Sequence, residues 1–202
     1  MEISWYHLFN SFFNIFPKIL NRREVLGAEN VPETGAVILV ANHRNLIDPP
    51  LVGGIVKRKV FFIAKESLFK LPVLGWLMHV WGMLPVKRGR ADREAITTSI
   101  NALQEGKAFG IFIEGTRNQS QAEMLPPKNG AAMIATKTGA TVIPVGIVNS
   151  EYFLRSFKKI WVVVGKPMNF QEFEHLERKE KYEAISNKIT EEIIRLRHTI
   201  LK

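Results

Sequence analysis

The chain of 202 residues has no cysteine. That excludes disulfides, thiolate metal sites and cysteine nucleophiles, and it fits a reducing compartment. Aspartate is nearly absent, with Asp48 and Asp92 the only two. No apolar run reaches the roughly twenty residues that a membrane-spanning helix needs. The N-terminus lacks the basic start, unbroken apolar middle and small-residue cleavage site of a signal peptide. Internal repeats, low-complexity tracts and domain linkers are missing too. The length therefore suits one domain with a real hydrophobic core and a small appendage.

Positive charge is in excess. The formal net charge is +9. The segment 171–202 is neutral, so the whole excess sits in residues 1–170. Such a surface attracts nucleic acid, anionic lipid headgroups, phosphorylated substrates or an acidic protein. Nucleic acid is disfavoured, because the aromatics gather on apolar helix faces instead of alternating with the cations.

The appendage is N-terminal. Trp5, Leu8, Phe9, Phe12, Phe13, Phe16, Ile19 and Leu20 recur at the helical period, and His7, Asn10, Ser11, Asn14 and Lys18 mark the other side. Residues 1–24 are expected to be an amphipathic helix at the membrane interface, ended or kinked near Pro17. The remaining residues, 25–202, form the main domain. Apolar strand-type runs fall at 36–41, 60–64, 83–86, 108–113, 141–148 and 160–164. Helical patterns fall between them at 49–56, 72–81, 90–104 and 130–138, and a last stripe (Tyr182, Ile185, Ile189, Ile193, Leu196, Ile200) predicts a covering helix over 179–201. This order predicts a single α/β domain with a mostly buried mixed sheet flanked by helices, plus the N-terminal amphipathic helix.

The most informative stretch is Asn42-His43-Arg44-Asn45-Leu46-Ile47-Asp48-Pro49. It puts a histidine at the end of an apolar strand and a carboxylate five residues later. A carboxylate partner fixes the imidazole tautomer and makes the free nitrogen a better base. Pro49 suits the first turn of a helix, and Asp48 is expected at its N-cap. Other strand ends carry charge as well. Lys65 follows one, Lys87-Arg88-Gly89-Arg90 another, and Glu114-Gly115-Thr116-Arg117-Asn118 a third. Arginine offers a planar fork for phosphate and lysine a point charge. Read singly, Glu114 and Arg117 are equally well a surface ion pair, and Lys87 to Arg90 a solvated turn. Together at strand ends they describe a base beside phosphate-binding cations.

These blocks, with Pro85-Val86-Lys87-Arg88-Gly89 and Val142-Ile143-Pro144-Val145, resemble in order and spacing the four sequence blocks of the glycerolipid acyltransferases, closest to the 1-acyl-sn-glycerol-3-phosphate (lysophosphatidic acid) acyltransferases. The likeness runs over about residues 25–170. The resemblance implies transfer of a fatty acyl group from a thioester to the hydroxyl of lysophosphatidic acid, giving phosphatidic acid. His43 and Asp48 then form the family's HX4D motif, as general base and orienting carboxylate. Lys65 and Arg117 are implied to grip the substrate phosphate, Arg88 matches the substrate-binding arginine of the second block, and Glu114 is implied to hydrogen-bond a glycerol hydroxyl. Gly115 and Thr116 shape that turn, and Pro144 matches the block assigned to the acyl pocket. Glycerol 3-phosphate or another lysolipid is the alternative acceptor, and a non-catalytic lipid-phosphate binder the alternative role. No metal or resident cofactor is expected. Acyl-CoA or acyl carrier protein is the co-substrate, and the working place is an anionic membrane surface on its cytoplasmic side. Three positions depart from the pattern: Ile113 replaces a common proline, Asn118 a common serine, and Lys87 a frequent acid.

Overall fold

The computed structural model describes residues 23–86 and 91–201, and the N-terminal segment expected to be a helix lies outside those residues apart from Arg23 and Glu24. Seven strands form the sheet of the described residues: β1 (Glu24–Leu26), β2 (Val37–Ala41), β3 (Val60–Lys65), β4 (Met83–Val86), β5 (Ala108–Phe112), β6 (Thr141–Val148) and β7 (Trp161–Val164). Their spatial order is β1-β7-β6-β2-β5-β3-β4. Every neighbouring pair is parallel except β6 and β7. The expected mixed sheet is therefore present, with six of its strands close to their predicted places. β1 was not expected. It starts at Glu24, and the buried Arg23 before it donates from Nη2 to the Leu51 carbonyl at 2.8 Å. The domain thus takes in the last residues assigned to the N-terminal segment.

Side chains alternate across the sheet as strand geometry requires. Val37, Leu39 and Ala41 of β2 enter one buried cluster, and Ile38 and Val40 enter the other. The first face is covered by α1 (Asp48–Gly53), through Leu51 and Val52, by the short α2 (Glu66–Phe69) and by α3 (Pro72–Val80). The second is covered by α4 (Ala91–Gln104), α5 (Gly130–Thr138) and α6 (Arg178–Leu201). Along α6, Ile185, Ile189 and Ile193 are fully buried at four-residue spacing. Each such side chain is worth roughly 1.5–3 kcal/mol of burial. The apolar stretch at α3 divides: Met78 packs on the core, and Trp76 is half exposed.

β2, β3, β5 and β6 all run the same way, so the loops that leave them gather at one edge. Ligand sites in open α/β sheets lie at that edge. Pro144 sits inside β6, one residue before the ladder to β7 begins at Val145↔Val164. There its missing N–H breaks no bond of that ladder. No helix of the described residues is long and apolar enough to cross a membrane.

Candidate active site

The loop from β2 to α1 holds the imidazole. His43 Nδ1 lies 2.8 Å from Asp48 Oδ2. A carboxylate only accepts, so Nδ1 carries the proton and Nε2 presents its lone pair. Nε2 has no hydrogen-bond partner among the described residues. The ring stacks on Phe112 with centroids 4.0 Å apart and planes 15° apart. Register explains the stacking: Phe112 pairs with Ala41, two residues before His43. Phe112 is backed in turn by Phe62, which crosses Gly110 so closely that any Cβ there would collide with its ring.

Asp48 is not the N-cap. Ile47 holds that position, and Asp48 opens α1 as its first residue. Two of the amides that a helix start leaves unpaired belong to Pro49 and Pro50, which have no N–H, so the demand for a side-chain cap is reduced. The fully buried Asp48 carboxylate turns back instead, and Oδ2 also accepts from the Arg44 and Asn45 N–H at 2.6 and 2.7 Å. Asn45 Oδ1 accepts from Ile47 N–H at 3.2 Å. These bonds consume most of the amides of the loop, so few are left to face an oxyanion. Leu46 N–H is the one in this loop with no partner among the described residues.

Glu114 is only 1% exposed, and both its oxygens are occupied. Oε1 accepts from His43 N–H and Oε2 from Leu125 N–H, each at 2.8 Å. It therefore pairs neither with Arg117 nor, in this arrangement, with a glycerol hydroxyl. It straps the β2 loop to the loop after β5. Gly115 follows with φ 69, and Lys128 Cγ would stand 3.0 Å from a Cβ there. A left-handed turn this close to its neighbour requires glycine. Gly115, Thr116 and Arg117 are exposed. Arg117 lines an open depression of about 490 Å³ with Arg44, Asn45, Leu46, Glu151 and Arg155. Arg117 and the His43 loop thus border one space. Lys65 ends β3 at the same edge of the sheet, but its side chain lies outside the described residues, as does Arg88 altogether. Pro144 is buried beside Gly165 and Leu196.

Sequence reading passed over several supporting residues. Asn42 exchanges two bonds with the Ile147 peptide, donating to its oxygen at 3.0 Å and accepting from its N–H at 2.7 Å. Asn118, the departure from serine, is buried and donates its N–H to the His43 carbonyl at 2.8 Å. Its side chain gathers Ser120 and Ala122 into a compact turn. Arg197 reaches from α6 to the Ile147 carbonyl and to Glu123. Burial lowers its pKa, opposed chiefly by Glu123. The signal for Arg197 was present: it falls four residues after Ile193, on the apolar face.

An imidazole with a free outer nitrogen, a carboxylate behind it and exposed cations beside it is the arrangement of general-base catalysis on an anionic substrate. The comparisons with known proteins agree with that class. The family model described as acyltransferase matches residues 22–148. The chain is 28% identical over 180 residues to the 1-acyl-sn-glycerol-3-phosphate acyltransferase of Bacillus subtilis, covering 88% of this chain and 89% of that protein. It is 33% identical over 132 residues to the enzyme of that name from Borreliella burgdorferi, covering 64% of this chain and about half, 52%, of that one. The crystal structure of the 1-acyl-sn-glycerophosphate (LPA) acyltransferase PlsC from Thermotoga maritima superposes with a TM-score of 0.71 and 26% identity, over 95% of this chain and 79% of that one. The chain belongs to the acyltransferase family.

Proposed function

We propose that the protein transfers a fatty acyl group from an acyl thioester to the free hydroxyl of 1-acylglycerol 3-phosphate, giving phosphatidic acid for phospholipid synthesis. The observation that carries this reading is the 2.8 Å contact between His43 and Asp48, which leaves Nε2 free, in a loop whose next residues Arg44, Asn45 and Leu46 line a depression with Arg117. The substrate hydroxyl gives its proton to Nε2 as its oxygen attacks the thioester carbonyl. The carbon–sulfur bond then breaks, and the imidazolium returns the proton to the departing thiolate. No acyl-enzyme forms. General-base assistance of this kind contributes about 10²–10⁴-fold. Positioning supplies much of the rest, because the anionic end of the substrate is held while its hydroxyl meets the base.

Arg117, Lys65 and Arg88 are the cations for the phosphate. Glu114, Gly115 and Thr116 set the turn that presents Arg117. Glu114 acts as a positioning residue, because its oxygens are spent on backbone amides. The thioester is of coenzyme A or of acyl carrier protein, and a basic surface suits either. No resident cofactor or metal enters the reaction. The substrates' chains are insoluble in water, so the enzyme works at an anionic bilayer, on the cytoplasmic side, as a peripheral or monotopic protein.

One assay tests the reading. Purified protein is given lysophosphatidic acid with acyl-CoA or with acyl carrier protein, and thiol release and phosphatidic acid are both followed. His43→Ala is expected to lower the rate by about 10²–10⁴-fold with lysophosphatidic acid binding retained. Equal thiol release by mutant and wild type removes His43 from the chemistry. Turnover of glycerol 3-phosphate but not lysophosphatidic acid changes the acceptor, and binding without turnover leaves a lipid-phosphate carrier.

A further inference from the structure

The loop between β6 and β7 leaves from the same edge of the sheet as the His43 loop, and it carries the most exposed large apolar side chain of the described residues. Phe157 is 91% exposed and Leu154 is 67% exposed. Leu154 adopts φ 61, a left-handed conformation that a leucine without local compensation avoids. The cations alternate with these residues. Arg155 is exposed, Lys158 lies 4.1 Å over the Tyr152 ring, and Lys159 lies 4.4 Å over Trp161. No acidic residue occurs from Tyr152 to Ile160. The loop is tied to the catalytic loop at its base. Asn42 holds the Ile147 peptide at the end of β6, and Arg44 faces Glu151 at 3.8 Å. Leu46, 70% exposed in the His43 loop, and Leu71, after α2, extend the apolar points along this edge.

We infer that the β6–β7 loop is a bilayer-docking element, with Phe157 and Leu154 entering the acyl boundary and Arg155 and Lys158 meeting anionic headgroups. The choice of a bilayer rests on the lipid acceptor proposed above. Composition points the same way. Apolar tips separated by cations, with tyrosine and tryptophan behind them, match interfacial segments. A protein interface of useful size instead buries a contiguous patch with an apolar centre. Docking by this loop would hold the depression lined by Arg44, Arg117 and Arg155 at headgroup depth, where a lysolipid phosphate lies.

The absence of cysteine makes a direct test available. Phe157→Cys in the full chain gives one thiol for an environment-sensitive fluorophore. On phosphatidylglycerol vesicles the label at 157 is expected to shift to the blue and brighten, and lipids carrying a bromine quencher in the chains should dim it. A label at Lys137→Cys, at the opposite end of the sheet, should not respond. Phe157→Ser with Leu154→Ser should weaken partition onto these vesicles by roughly tenfold. Lys158→Gln should weaken it by roughly fivefold, and only on anionic vesicles. Turnover of a short-chain, monomeric lysophosphatidic acid should stay as in wild type in both variants. A silent label at 157 overturns the inference even if transfer is intact. So does a shift given by an acidic carrier protein and not by vesicles, or equal loss of turnover on monomeric and vesicle substrates. A shift on vesicles without any transfer to lysophosphatidic acid keeps the docking and removes the acceptor.

Discussion

Two neighbouring loops at one edge of the sheet are built in opposite ways. In the β2–α1 loop most polar groups have a partner inside the protein. Asp48 takes three donors on one oxygen, Glu114 fixes the His43 amide, and Asn118 fixes its carbonyl. In the β6–β7 loop Leu154, Arg155, Phe157 and Lys158 point outward, and the backbone accepts strain at Leu154. The first pattern preorganises a reacting group, since an imidazole held at its ring, its amide and its carbonyl has little freedom left to lose in a transition state. The second leaves contacts unmade that only another phase or molecule can complete. The difference separates chemistry from delivery within about ten residues of chain on either side of the Asn42–Ile147 contact.

The largest effect should come from breaking the closed loop at its hub. Asp48→Ala removes the acceptor of the Arg44 and Asn45 amides as well as the orienter of His43. Two part-buried donors left unpaired cost about 1–3 kcal/mol each, so the thermal midpoint should fall by several degrees. Activity should drop by roughly 10⁴-fold, the loss seen when a base loses its orienting partner. Asp48→Asn sharpens the result. Its amide oxygen offers two acceptor sites to the three donors of Oδ2, so stability should fall less than in Asp48→Ala while the charge behind the imidazolium is lost. If both variants have wild-type kcat on a saturating monomeric substrate, the pair has no part in catalysis.

Glu114→Ala comes next and separates two roles for one carboxylate. As a strap it satisfies two amides contributed by different loops, His43 and Leu125, so removal should destabilise the protein by about 2–4 kcal/mol, measured by denaturant unfolding. As a ligand for a glycerol hydroxyl it would instead raise KM with the unfolding midpoint unchanged. The second outcome would mean that the carboxylate lets go of the backbone when substrate arrives.

Much of this was legible in the residues, and the gaps have physical reasons. Six strands and the limits of α5 follow from apolar runs and from Gly139, whose φ of 65 ends the helix in the expected left-handed cap. β1 has three residues on an edge and offers no periodicity to read. The spacing from His43 to Asp48 announced their contact, because five residues across a tight turn leave few alternatives. It did not tell which way Asp48 faces, since the cap position and the first helical position differ by one residue. Glu114 looked like a partner for Arg117, three residues on. Its true partners lie 71 and 11 residues away, and only the pairing of β2 with β5 brings the first of them near. Side chain to backbone bonds across such separations leave no sequence pattern.

The smallest expected effect lies in the open loop and bears on why its strain persists. A leucine in the left-handed region costs roughly 1–2 kcal/mol relative to the ordinary regions. Glycine relieves that cost but adds freedom to the unfolded chain, worth about 0.4–1 kcal/mol the other way. Leu154→Gly should therefore raise stability by about 0.5 kcal/mol, and Leu154→Ala, which keeps the Cβ, should leave it unchanged in denaturant unfolding. Both remove the apolar tip, so both should bind anionic vesicles less well. A stabilising change that weakens docking identifies the strain as retained for contact with the bilayer. If Leu154→Gly destabilises the fold, the outward leucine is instead held by packing within the loop, and the contrast between the two loops narrows to their charges.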